Sequence, residues 1–69
     1  MRDPKRIYIV MNDIMHEWEK YPDLRLGQLI SNAMHGSGVD LFYIEDEELV
    51  ERIKEYVKGV KYYGNKDNT

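Results

Sequence analysis

No covalent staple is available to this chain: its 69 residues include no cysteine, so neither a disulfide nor a thiolate zinc site can supplement the core. A chain of this length buries only about 60% of the surface its unfolded form exposes, which allows one domain with a marginal core. Self-association is the remaining way to add buried surface. The apolar residues must therefore make one core by their own periodicity, and over most of the chain that periodicity is helical.

Ile7, Val10, Met11, Ile14 and Trp18 recur at the three-and-four spacing of one helical stripe. Tyr8 and Met15 widen that stripe on one shoulder, and Ile9 points away from it. Asp3 followed by Pro4 is a start signal, because Asp accepts orphan backbone donors and Pro is tolerated in the first turn. Pro22 is expected to stop this helix, and Asp23 to cap a second one carrying Leu26, Leu29, Ile30, Ala33 and Met34 on its core face up to Gly36. Gly27, inside that helix, predicts the close approach of another group, with Trp18 as the candidate. After the Gly36-Ser37-Gly38 cluster, the β-prone run from Val39 to Ile44 predicts a short extended segment that packs as a loop or pairs with its copy in a second subunit. A third helix begins at Glu45 or Asp46, buries Leu49, Val50, Ile53, Tyr56, Val57 and Val60, and has acids at its start and lysines toward its end, as the helix dipole favours.

The expected fold is all-α: a three-helix domain over residues 1–63, with a short extended segment between the second and third helices and a flexible tail over residues 64–69. The formal charge is −3 with both signs interspersed, so there is no basic stripe to follow a phosphate backbone, and direct nucleic-acid binding is disfavoured. The first residues do not form the apolar core of a signal peptide or a membrane span, which reads as a cytoplasmic protein.

Motifs for chemistry are missing. His16 opens His-Glu-Trp-Glu-Lys without the second histidine that a zinc-protease helix needs. Ser31 and Ser37 lie in no nucleophile elbow, and Gly36-Ser37-Gly38 closes a helix where a phosphate loop would open one. The acids Glu45 to Glu48 with Glu51 lack the ligand spacing and glycine of a calcium loop and read as a solvated first turn. The expectation is thus no enzyme, no metal and no cofactor.

Two features point to a partner instead. Arg25, Gln28 and Asn32 share one side of the second helix, and six tyrosines with Phe42 and Trp18 exceed what so small a core hides easily. Arg25, Gln28, Asn32, Phe42, Tyr43 and Tyr63 are the candidate partner-binding residues. The function expected is a non-enzymatic protein-interaction domain, binding a protein partner or forming a homodimer. Two alternatives are a phage or host regulator acting on nucleic acid or its machinery, and a domain that sequesters a small ligand.

The run Trp18-Glu19-Lys20-Tyr21-Pro22-Asp23-Leu24-Arg25-Leu26-Gly27-Gln28-Leu29-Ile30, with the later Tyr43-Ile44-Glu45-Asp46, resembles a group of uncharacterised small bacterial and phage proteins. Trp18, Pro22, Asp23, Leu24 and Gln28 also match the spacing of the YihD family of unknown function. The resemblance implies a compact stand-alone protein of a bacterium or prophage. It transfers no activity and no catalytic residue.

Overall fold

The computed structural model describes residues 2–67, with side chains through residue 60. It contains three helices, α1 (Lys5–Trp18), α2 (Leu26–Met34) and α3 (Asp46–Asp67), and no strand among the described residues. The Tyr63 side chain and the side chains of the tail expected from residue 64 lie outside those described.

Four juxtapositions fix the topology. Arg6, early in α1, pairs with Asp46 at the start of α3, while Lys20 and Tyr21, just past the end of α1, border the same hollow as Val60. α1 and α3 therefore run in the same direction. Asn32, late in α2, donates to the Tyr56 hydroxyl at 2.9 Å, and Gln28 lies toward Val60, so α2 runs against both. The result is an up-down-up bundle in which α3 packs against α1 and α2, and those two meet each other only marginally.

Local chemistry sets the helix ends. The Asp3 carboxylate accepts the Lys5 N–H at 2.9 Å, and Pro4 already has helical angles (φ −63°, ψ −17°), so the expected start of α1 is observed. Its end is not at Pro22, because α1 stops at Trp18. Proline favours the second position of a turn, and Tyr21 to Leu24 form one, closed by the Leu24 N–H on the Tyr21 carbonyl at 3.1 Å. The Trp18 indole N–H donates to the Leu24 carbonyl at 2.6 Å and ties the turn to α1.

The second helix consequently begins at Leu26, and Asp23 is not its cap. Arg25 is extended there, and its N–H is taken by the Gln28 side-chain oxygen at 2.8 Å. This is half of a capping box, since an arginine side chain has no acceptor with which to return the bond. Past α2, Gly36 adopts φ +76°, the left-handed conformation that ends helices without steric cost only at glycine.

The run expected to be extended between α2 and α3 is broken by a turn. The Asp40 side chain accepts the Phe42 N–H and its carbonyl accepts the Tyr43 N–H, both at 2.9 Å. Such an aspartate turn overrides the β propensity of the apolar residues around it. α3 then starts at Asp46, as the sequence indicates, with the Leu49 N–H bonded to the Glu45 carbonyl.

The core consists of Ile14 from α1, Leu29 and Ala33 from α2, and Val50, Ile53 and Val57 from α3. Val10, Trp18, Tyr21, Leu24, Leu49 and Tyr56 pack around it. The α1 stripe is rotated from its expected position. Ile7 and Met11 are each 51% exposed, Tyr8 and Met15 lie out in solvent with them, and the deeply buried partner of Ile14 is Glu17, 6% exposed. One helix covers only one flank of α1, and α2 is too marginal a neighbour to cover the other. Gly27 is also not a contact point: a Cβ added there would meet nothing within 4 Å, so Trp18 is not its neighbour.

Candidate functional site

Much of the polar stripe on α2 is engaged within the chain. Gln28 caps its own helix through its side-chain oxygen, and the Asn32 amide is bonded to Tyr56. Arg25 is exposed. These residues stay at the surface, but the bonds made by Gln28 and Asn32 belong to helix capping and to α2–α3 packing. Beside them lies an open groove of about 510 Å³ between α2 and α3, lined by Asn32, His35, Glu51, Arg52, Glu55 and Tyr56 among others.

The acids at the start of α3 are partly answered from α1 and from the residues just before it. Arg2 bonds Glu45 at 3.1 Å and approaches Asp46 at 3.8 Å, and Arg6 bonds Asp46. The cluster thus anchors the N-terminus of one helix to that of another while favouring the α3 dipole. Among the described residues, no three His, Cys, Asp or Glu side chains converge as metal ligands would. No described helix is long and apolar enough to cross a membrane.

Phe42 and Tyr43 differ from the polar stripe in being uncommitted. They are 81% and 74% exposed, yet they are positioned, because the Asp40 turn holds their backbone and their rings meet edge to face at 4.9 Å. Leu41 beside them is half-exposed and lines a hollow of about 420 Å³ with Gly27, Ile30, Ser31 and Met34.

Helical geometry extends this surface. Ile7, Met11 and Met15 lie one turn apart along the flank of α1 that Trp18 shares, the side on which the chain turns back into α2. On α2, Asn32 faces α3, and Leu26, Ile30 and Met34 occupy the other flank. Sequence reasoning assigned Ile7, Met11 and Met15 to the core. The signal against that was the breadth of the α1 apolar arc, which runs from Val10 round to Tyr8 and is wider than the nine residues of α2 can cover.

Glu17 also went unnoticed in the sequence. Its carboxylate is buried and receives the Lys20 ammonium on both oxygens, at 3.1 and 3.3 Å. An acid one turn beyond Asp13 looks like part of a solvated face until the direction of α3 is known.

Fold and surface together define a class: a small three-helix bundle with an apolar flank and an aromatic pair left open to solvent. Compared with protein-family models, curated proteins and solved structures, the chain matches none.

Proposed function

We propose that this chain works by binding protein, without catalytic chemistry of its own. The observation that carries this reading is the Phe42–Tyr43 pair, two large rings fixed by an ordered turn and pointed into water. Exposing rings costs solubility and yields no core, whereas Phe and Tyr are enriched where protein surfaces meet. The half-exposed Ile7, Met11, Met15 and Leu41 add the apolar area that such anchors need around them. Methionine suits this role because its flexible thioether chain adapts to the surface opposite.

The test is a photoactivatable benzoyl-phenylalanine in place of Phe42, irradiated in the purified protein and in an extract of the cells that make it. A covalent adduct to a second polypeptide, either another copy or a different protein, is expected, and competition by excess unmodified protein should reduce it. No adduct in either setting overturns the reading.

A further inference from the structure

Two depressions in the surface meet at His35. One is the open groove of about 510 Å³ between α2 and α3, the other is the hollow of about 420 Å³ that Leu41 borders, and His35 lines both. Their characters differ. The hollow is walled mainly by the apolar Ile30, Met34 and Leu41, and the loop that supplies Leu41 also carries the exposed Phe42 and Tyr43. The groove is lined by the carboxylates of Glu48, Glu51 and Glu55, with Arg52 as the one arginine or lysine among its lining residues. The Arg52 Nε comes no nearer to Glu48 than 4.0 Å.

We infer that this continuous surface takes a basic, amphipathic segment of a partner protein, with its apolar side chains in the hollow and its lysines or arginines along the groove. The inference rests on the protein-binding reading above and specifies the partner's chemistry. Charge complementarity selects this occupant. Glu48, Glu51 and Glu55 follow at three- and four-residue spacing, so they share one face of α3, where like charges repel. At the start of the same helix Glu45 and Asp46 are answered by Arg2 and Arg6. Glu51 and Glu55 are exposed and form no ion pair among the described residues, so the free protein leaves their repulsion in place. A basic segment relieves it.

The same acids disfavour the other occupants. They repel the phosphates of a nucleic acid or an anionic membrane, and a second copy of this chain would bring a like net charge of −3. A small cation would satisfy the groove and leave the hollow uncovered. Only a segment that carries both kinds of side chain, apolar on one side and basic on the other, covers the two together, and such segments are a recurring mode of peptide recognition.

The probe is a synthetic helical peptide with leucines along one face and lysines elsewhere. Its controls are the same peptide with glutamates for lysines, and one of the same composition shuffled to destroy the apolar face. Each is titrated into the isotope-labelled full chain and followed by amide chemical shifts, for the parent, Leu41→Ser, and Glu51→Lys combined with Glu55→Lys. All three positions are exposed, so the variants should keep the parent's helical circular dichroism. The lysine peptide should bind the parent and shift amides around His35, Leu41, Glu48 and Glu51. The double reversal should weaken it about tenfold or more, since each change exchanges an attraction for a repulsion. Leu41→Ser should weaken it less, and the glutamate and shuffled peptides should bind poorly to every form. No binding of the lysine peptide, equal binding to the double reversal or by the shuffled peptide, or shifts confined to α1 would each overturn the inference. A residue-42 adduct that forms equally well in the double reversal refutes the groove yet keeps the protein-binding reading. Neither peptide binding nor an adduct refutes both.

Discussion

Gly59 lies inside α3, where a glycine weakens a helix by enlarging the backbone freedom lost on folding. An added Cβ at this position would meet nothing within 4 Å, so the folded state should accept alanine without repacking. Gly59→Ala should then stabilise the protein by the difference in helix propensity, about 1 kcal/mol. For a domain of this size the urea slope is roughly 1 kcal/mol per molar, which places the midpoint about 1 M higher. The melting temperature should rise by about 4–8 °C. Urea and thermal melts followed by far-ultraviolet circular dichroism, with parent and variant at one concentration, read both quantities. An unchanged or lowered midpoint would show that another group occupies the space beside Gly59, or that α3 is not helical there.

The same substitution at Gly36 should have the opposite sign. Its φ of +76° costs a residue with a Cβ about 1–2 kcal/mol, so Gly36→Ala should melt earlier than the parent, and an equal or higher midpoint would contradict the left-handed helix end. Ile53 has no exposed surface and sits among residues of all three helices, so Ile53→Ala should cost about 2–5 kcal/mol, enough to leave so small a domain largely unfolded at room temperature. A cooperative melt within about 1 kcal/mol of the parent would place Ile53 outside the core.

The helices were legible because each carries a periodic apolar stripe, and α3 most plainly: Val50, Ile53 and Val57 are buried as their spacing requires, with Leu49 and Tyr56 beside them. The corners were harder to read. Pro22 and Asp23 suit a helix stop and a cap, but they equally suit a turn, and the choice was made by the Trp18 indole reaching Leu24 across the corner, a contact that periodicity does not encode. Asp40 likewise redirected an apolar run through two hydrogen bonds. At the surface, local spacing identified Phe42 and Tyr43 but placed Ile7, Met11 and Met15 inside. Spacing shows which residues share a face, and only the number of neighbouring helices decides how much of that face is covered.

The central position of α3 has a consequence for how the chain is made. Translation delivers α1 and α2 first, yet these two barely touch, and half of the six core residues, Val50, Ile53 and Val57, belong to the last helix. The nascent chain therefore has no enclosed interior until α3 has left the ribosome, and folding of the bundle has to wait for that helix. A ribosome stalled before Val50 would hold two helical segments with nothing to fold against, exposed to chaperones and proteases alike.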